Sequence, residues 1–266
     1  TSRPVGDAMA TTIWGTSSSW TLTALPLFVW MGEILFRTKL SENLFKGLAP
    51  WMSRLPGGLI HVNVVGCALF AAISGSSAAT VATVGKMSIP ELRKRNYPEK
   101  LLLGSLAGSG TLGLLIPPSI ILIIYGVTVQ ESIAKLFIAG IIPGIMIAIF
   151  FMFYVIGWSV LNKDSMPKTE ETFSFSQKMK DSGQLIPVIV LIAAVIGSIY
   201  VGIATATEAA SLGVVGALIL SFFQKSLNKE TFKLSLLGAT KTSCMIAFIL
   251  AGSSFLSLAM GFTGLP

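Results

Sequence analysis

The residues that decide the fold run from Leu55 to Thr128 and read LPGGLIHVNVVGCALFAAISGSSAATVATVGKMSIPELRKRNYPEKLLLGSLAGSGTLGLLIPPSIILIIYGVT. The stretch holds two apolar segments, and each is interrupted near its middle by glycine, serine, threonine or proline rather than by charge. Neither half of either segment has the roughly 20 residues that a spanning helix needs. Broken helices at membrane depth are tolerated where the freed backbone is buried in protein or lines a watery cavity. Two in succession therefore predict a substrate or ion site.

The composition of the whole chain is that of a membrane protein. Of its 266 residues, 53% are hydrophobic and only 12% are charged. A soluble protein carries about twice that charged fraction. We therefore predict an all-α polytopic membrane protein. Because the chain begins at Thr1 rather than at a methionine, we also expect it to be a fragment of a longer protein.

The placement of the basic residues argues against a nucleic-acid surface, although the net charge is +7. All the lysines and arginines except Arg3 and Lys135 fall into four clusters that alternate with apolar segments. The clusters lie in residues 37–54, 86–100, 163–180 and 225–241. Such alternation follows from the positive-inside rule, so we place all four clusters in the cytoplasm.

The two broken segments differ in how the chain passes through them. Basic clusters flank Leu59–Val84 on both sides, so this segment enters and leaves on one side of the membrane. Its interruption, Ser74–Ser77, is then the tip of a re-entrant hairpin. The second segment crosses the membrane, and its interruption covers Gly108–Thr111 and the pair Pro117 and Pro118.

Side chains that could carry chemistry are few, and we assign them structural roles. His61 is the only histidine, and we expect it to be packed or hydrogen-bonded rather than a ligand. Glu33 lies four residues before Arg37, a spacing that pairs them on one helical face. Thr205 and Glu208 have the spacing of a capping box. We predict no catalytic residue and no enzyme activity.

Several runs of residues resemble the large membrane (M) subunit of tripartite ATP-independent periplasmic (TRAP) transporters. They are GGLIHVNVVGCALFAAISGSSAAT with the basic residues after it, LLIPPSIILIIYGV, SIAKLFIAGIIPG, ALPLFVWMGEIL and ATATEAASLGVVGAL. The Ser-Gly-Ser tip, the Ile-Pro-Pro-Ser break and the Thr-Glu-Ala-Ala turn make the likeness specific. It covers nearly the whole chain, although the family's early spans and second hairpin are absent from this sequence.

The resemblance implies a sodium-driven importer of small organic acids, such as sialic acid or C4-dicarboxylates. Such a transporter is a multi-pass protein of the bacterial inner membrane with inverted repeats, and it works by an elevator movement. Its implied partners are a small membrane (Q) subunit, either separate or fused, and a soluble periplasmic substrate-binding (P) protein. Membrane lipid surrounds it, and no nucleic acid is expected.

The resemblance also implies a division into scaffold and transport regions. An amphipathic stretch, Lys39–Ser53, follows the first span and reads as an interfacial arm helix. The same order recurs near residues 222–241, which suggests an internal repeat. The predicted regions are a scaffold helix and arm helix (1–54), the first half of the transport domain (55–140), scaffold helices with a second arm helix (141–241) and the start of the second half (242–266).

Residues of the two interruptions are the predicted binding groups. We expect Ser74 and Ser119 to contact the substrate, because Ser119 begins a half-helix whose positive dipole end suits an anion. Sodium would draw oxygen ligands from unwound segments, and no other metal is expected. The candidate residues are Ser74, Gly75, Ser76, Gly108, Gly110 and Thr111. The other interpretation of these small residues is close helix packing.

Two further function classes stay open at this point. One is a sodium symporter for divalent anions that needs no binding protein, since such symporters also have paired re-entrant hairpins. The other is the permease of an ATP-driven importer, in which re-entrant breaks are not expected.

Overall fold

The computed structural model describes residues 5–38, 40–167, 174–183 and 185–263. Within these ranges the regular secondary structure is helical and contains no strand, which confirms the predicted all-α class. The α-helices are α1 (Val5–Ser17), α2 (Ala24–Phe36), α3 (Leu40–Met52), α4 (Ile60–Ser74), α5 (Ser77–Lys94), α6 (Glu99–Gly110), α7 (Ile120–Val129), α8 (Ile133–Leu161), α9 (Phe175–Ser182), α10 (Ile186–Tyr200), α11 (Ala206–Phe223) and α12 (Lys229–Thr263).

Several of these helices have the length and composition to cross a membrane. In the described residues α8, α11 and α12 each qualify alone. Two bent pairs qualify as single broken spans, α1 with α2 at 55° and α9 with α10 at 53°. The protein is therefore polytopic, as its composition predicts.

The first interrupted segment forms a helical hairpin, α4 and α5. Gly75 ends α4 in the left-handed conformation (φ 59°), and the Ser76 side chain caps α5 by accepting a hydrogen bond from the Ala79 amide. At the open end of the hairpin, the Leu59 amide donates to the Tyr97 hydroxyl at 3.1 Å. The chain therefore leaves the hairpin beside the point where it entered.

The second interrupted segment breaks later than the sequence predicts. Helix α6 continues through Gly108 to Gly110, and only a 3₁₀ turn, Thr111–Leu114, and an irregular stretch containing cis-Pro118 separate it from α7. Isolated glycines cost a helix about 1 kcal/mol each, which tertiary packing can offset. Proline removes an amide donor and clashes with the preceding turn, so the proline pair makes the break.

The turns that the charge pattern places outside the cytoplasm meet at one end of the helices. A cavity of about 410 Å³ there is lined by the residues before α2, by the α7–α8 turn around Glu131 and by the start of α11 at Thr207. The Thr205–Glu208 capping box that begins α11 is present, as predicted. Trp51 of α3 lies away from this end and receives contacts from α9, with its indole donating to the Ser182 hydroxyl at 2.7 Å.

Residues 222–263 depart from the prediction. A second interfacial helix followed by a separate span was expected, but α12 is one continuous helix of 35 residues. No proline lies between Lys229 and Thr263 to end a helix. The residues around Gly238 and Thr240 therefore continue the helical hydrogen bonding. At about 1.5 Å per residue, α12 is longer than the roughly 30 Å hydrocarbon core.

Candidate functional site

The tip of the hairpin is docked against the break between α6 and α7. The Ile120 amide, the first of α7, donates to the Gly75 carbonyl at 3.2 Å. A Cβ atom added to Gly75 would lie 2.5 Å from the Pro118 carbonyl oxygen, and one added to Gly113 would lie 2.9 Å from the Ser77 nitrogen. Only glycine fits at these two points of backbone contact. The two interruptions of the sequence thus form one structural unit.

This unit lies near the middle of the broken segment rather than at either end. Helix α6 has 12 residues between the open end of the hairpin and the break, and α7 has 10 residues beyond it. At about 1.5 Å per residue, each half measures roughly 15–18 Å. The hairpin therefore turns at half the depth of the neighbouring segment, which is the geometry expected of a re-entrant loop.

A cavity of about 320 Å³ lies beside the hairpin tip. Ser74, Ser76 and Ala79 of the hairpin form one wall, and Gly32 and Glu33 of α2 form the other. Helix α2 can come this close because Gly32 has no side chain. A Cβ atom added to Gly32 would lie only 3.0 Å from the Ser74 Cα. The volume is at the lower end of the roughly 300–1,000 Å³ typical of small-molecule sites. A small organic acid fits this size.

The Ser74 hydroxyl is held in place by a neighbour that the sequence did not single out. Its Oγ lies 2.9 Å from the Thr80 Oγ1, and it also receives a longer bond from the Ser76 amide at 3.4 Å. Thr80 is fully buried and Ser74 is 7% exposed. The only sequence signal for Thr80 is its place on the first turn of α5, six residues after Ser74.

Glu33 is the only charged residue among the described side chains that line this cavity. Its carboxylate accepts hydrogen bonds from Nε and Nη2 of Arg37, the nearer at 3.0 Å, which confirms the predicted ion pair. The same carboxylate packs on α12, where a Cβ at Gly238 would lie 2.5 Å from Glu33 Oε2. Since Arg37 neutralises Glu33, an anion entering the cavity meets no uncompensated negative side chain there.

Ser119 is not part of the cavity wall in this conformation. Its side chain is fully buried, and Oγ donates to the Leu114 carbonyl at 2.8 Å. Ser119 also does not cap α7 with its side chain, although its backbone has the extended conformation of an N-cap residue. The structure therefore brings Ser74 to the cavity. Ser119 lies beneath the first turn of α7, where its hydrogen bond joins the start of α7 to the end of the 3₁₀ turn.

The predicted sodium ligands divide into two groups. Ser74, Gly75 and Ser76 form the tip. Gly110 lies against Val81 of α5, and a Cβ atom added to Gly110 would lie 3.8 Å from the Ser77 carbonyl oxygen. Gly108 instead faces the Phe151 ring of α8. Thr111 is exposed, and its hydroxyl donates to the Gly108 carbonyl at 2.7 Å. The oxygens of Ser74 and Ser76 lie together at the tip, whereas the Gly108 carbonyl and the Thr111 hydroxyl are hydrogen-bonded to each other.

Polar contacts between α4 and α6 fix the hairpin against the broken segment. The Asn63 amide group donates to the Ser105 hydroxyl at 3.0 Å and to the Leu102 carbonyl at 3.3 Å. The Ser109 hydroxyl reaches back to the Asn63 carbonyl at 3.3 Å. All three of these polar residues are buried. Nearby, His61 is fully buried with Nε2 2.8 Å from the Pro56 carbonyl, as expected of a packed histidine.

The chain matches a known protein family over its full length. Residues 1–266 fit the model of the family described as "Tripartite ATP-independent periplasmic transporter, DctM component". Members of this family are transport permeases, which are not a class of enzymes. The match confirms the resemblance that the sequences of the hairpin tip and the proline break indicated.

Individual relatives have different named substrates. The chain is 31% identical to a C4-dicarboxylate TRAP transporter large permease protein of Rhodobacter capsulatus, over 98% of this chain and 62% of that protein. It is 33% identical to the isethionate TRAP transporter permease protein DctMQ of Oleidesulfovibrio alaskensis, over 92% of this chain and 38% of that protein. It is 35% identical to the ectoine/5-hydroxyectoine TRAP transporter large permease protein UehC of Ruegeria pomeroyi, over 75% of this chain and 46% of that protein.

The chain thus spans between 38% and 62% of the length of these relatives, and the match is to their permease component. Its apolar helices, bent pairs and central hairpin agree with that assignment. The chain therefore belongs to the DctM-component family of tripartite ATP-independent periplasmic transporters, as a multi-pass large-permease protein of the inner membrane.

Proposed function

We propose that this chain is part of a sodium-coupled importer of a small organic acid, which a periplasmic binding protein delivers. The observation that carries the proposal is the hairpin tip docked on the break near the middle of the second segment, with the Ser74 cavity beside it. Discontinuous helices at the midplane are where secondary transporters bind substrates and coupling ions. Family membership supports the dependence on a binding protein.

The transported carboxylate binds in the cavity through hydroxyl and backbone groups. Ser74 supplies the hydroxyl, oriented by Thr80, and Ser76 lies on the same wall. Ser119 reaches the substrate only if its hydrogen bond to the Leu114 carbonyl opens; while that bond is made, Ser119 positions the start of α7. A C4-dicarboxylate is the first candidate, since relatives of this chain carry that name.

Sodium binds at the tip, where oxygen donors of Ser74 and Ser76 lie within a turn of each other. The Gly75 carbonyl already accepts the Ile120 amide, so it contributes only if the contact between tip and break loosens. Because the Gly108 carbonyl already accepts a hydrogen bond from the Thr111 hydroxyl, we propose that these two residues support the end of α6 rather than bind the ion. A bound cation also attracts the carboxylate of the substrate in the adjoining cavity.

Movement of the hairpin unit against α2 would carry the cavity between the two sides of the membrane. Gly32 allows the α2 backbone to approach Ser74 without an interlocking side chain. This smooth contact suits an elevator movement of residues 55–140 along the scaffold. The partners in this proposal are a small membrane subunit and a periplasmic binding protein; one relative is named DctMQ.

The test is uptake into proteoliposomes that contain the full-length permease with its small subunit. Labelled succinate, isethionate and sialic acid are offered in turn, with and without the cognate binding protein. We expect one acid to accumulate only when the binding protein is present and sodium is outside. Replacement of sodium by potassium, with a protonophore present throughout, should abolish accumulation.

The other function classes give different results in the same assay. Sodium-driven uptake without any binding protein would show the simpler symporter instead. Uptake that requires internal ATP and ignores the sodium gradient would show an ATP-driven importer. Either result overturns the proposal, and so does accumulation that continues when potassium replaces sodium.

A further inference from the structure

A second cavity, of about 650 Å³, lies next to the Ser74 cavity and toward the open end of the hairpin. It is lined by the end of α2, by α3 and by the second hairpin arm α5. Its charged lining residues are Arg37, Lys46, Lys86 and Glu91. Residues of the first two basic clusters of the sequence thus meet around one space, on the side that the positive-inside rule places in the cytoplasm.

Two of these four charges are already neutralised by residues outside the cavity wall. Arg37 pairs with Glu33 at 3.0 Å, and Glu91 pairs with Arg95 at 2.8 Å. Lys46 and Lys86 make no ion pair with any residue that the structure describes. Among the described side chains, the cavity wall therefore carries two lysines without an ion pair, one from α3 and one from α5.

The second cavity is continuous with the first in its walls. Phe36 lines both, and the ion pair of Glu33 and Arg37 has one member in each. On the hairpin side, Ala82 lines the first cavity and Thr83, the next residue, lines the second. The two cavities are therefore neighbours along α5.

We propose that this second cavity is a release site for the transported anion, in which Lys46 and Lys86 bind a carboxylate that has left Ser74. The proposal rests on the proposed import of an organic acid. Two cations in a cleft raise the local concentration of an anion and its association rate, by about tenfold at the low end of the range for such clefts. Such a static site changes rates and apparent affinity on the cytoplasmic side. It leaves the final accumulation ratio unchanged, because the coupling ion sets that ratio.

The test measures the potential and the occupancy of the cavity directly. Met87, which lines it, is replaced by cysteine in a full-length permease that also carries Cys244→Ser, since Cys244 is exposed whereas Cys67 is buried. From the cytoplasmic face, the anionic reagent MTSES and the cationic reagent MTSET are compared. We expect MTSES to react disproportionately fast and millimolar succinate to slow it. The double variant Lys46→Gln/Lys86→Gln should lower the MTSES/MTSET rate ratio about tenfold and remove the protection.

Matched variants separate a local effect from a general one. Lys94→Gln removes an exposed cation of the same helix that does not line the cavity, and it should change neither quantity. Lys46→Arg/Lys86→Arg should retain both the rate ratio and the protection. Thermal unfolding of each variant in detergent verifies that the fold is kept. If Lys94→Gln acts like the double variant, or if succinate never protects Met87→Cys, the proposal is wrong.

The labelling experiment tests the release site independently of the transport assay. Sodium-driven uptake with no succinate protection would overturn the release site and leave the proposed function standing. Protection that persists in Ser74→Ala while uptake is lost supports the release site as separate from the transport site. Protection that follows the content of anionic phosphatidylglycerol instead of succinate would assign the lysines to a lipid headgroup and overturn the proposal.

Discussion

Helices α4 and α8 are both apolar, yet one is enclosed in protein and the other faces outward. Twelve of the 15 residues of α4 are buried. In α8, which has 29 residues, large side chains are widely exposed, with Ile142 at 77% and Phe153 at 63%. Hydropathy alone therefore does not distinguish a helix of the candidate site from one that crosses the membrane against lipid.

The two regions also respond differently to proline. Pro143 lies inside α8, and the helix continues through it. Pro117 and Pro118 stand in succession after a 3₁₀ turn, and the helix ends there. The neighbours complete the contrast, because α8 presents glycines to the break: a Cβ at Gly140 would lie 2.6 Å from the Leu115 carbonyl oxygen. Interruption and close backbone contact, rather than apolar character, identify the functional region.

The largest effect is expected from Gly75→Ala at the hairpin tip. The left-handed backbone costs an ordinary residue about 1–2 kcal/mol. The clash with the Pro118 carbonyl adds about 1–3 kcal/mol of overpacking. We expect loss of uptake and a lower midpoint of thermal unfolding in detergent. The control is Gly197→Ala in α10, where an added Cβ meets no atom within 4 Å; unchanged behaviour of Gly75→Ala relative to this control would contradict the docked tip.

Two glycines on α8 give a sharper comparison within one helix. Gly140→Ala should lower the free energy of unfolding by about 1–3 kcal/mol, because the new methyl group meets the Leu115 backbone. Gly157→Ala meets nothing within 4 Å and should be neutral or stabilising by up to about 1 kcal/mol. Denaturation of both variants in the same detergent measures the difference. Equal stabilities would mean that α8 does not support the break.

Much of this architecture could be predicted from the sequence, because it follows from local composition. The hairpin, the proline break and the capping box each have a short sequence signature, and each is present. The continuity of α12 could not be predicted from the charge pattern alone, because lysines near the start of a helix are equally typical of an interfacial helix. The absence of proline between Lys229 and Thr263 was the sequence feature that favoured one continuous helix.

The contents of the site were harder to predict than its position. Contacts of Ser74 with Thr80 and with Gly32 depend on how α5 and α2 pack, and no local pattern specifies that packing. The burial of Ser119 depends likewise on the path of the chain between Leu114 and Ile120. Local sequence therefore located the two interruptions, whereas tertiary packing decided which hydroxyl faces the cavity.

Among the variants of the site, the two serines should lose the least stability, and they should differ in transport. Ser119→Ala removes a buried hydrogen bond to the Leu114 carbonyl and should cost about 0.5–1.5 kcal/mol of stability. It should leave the half-saturation concentration for uptake unchanged. Ser74→Ala should raise that concentration, since Ser74 lines the cavity. Uptake curves at matched membrane expression test this. A raised half-saturation in Ser119→Ala alone would reverse the assignment.

The most direct test of the account is the sidedness of the hairpin. Single cysteines are placed at Lys46 and Lys94, before and after the hairpin, and at Glu131 beyond α7, in the full-length permease carrying Cys244→Ser. An impermeant maleimide is applied to intact spheroplasts and to inside-out vesicles. Because the Leu59 amide and the Tyr97 hydroxyl join the two ends of the hairpin, Lys46→Cys and Lys94→Cys should both react only in inside-out vesicles. Glu131→Cys should react only in spheroplasts, whereas labelling of Lys46→Cys and Lys94→Cys from opposite faces would contradict the re-entrant hairpin.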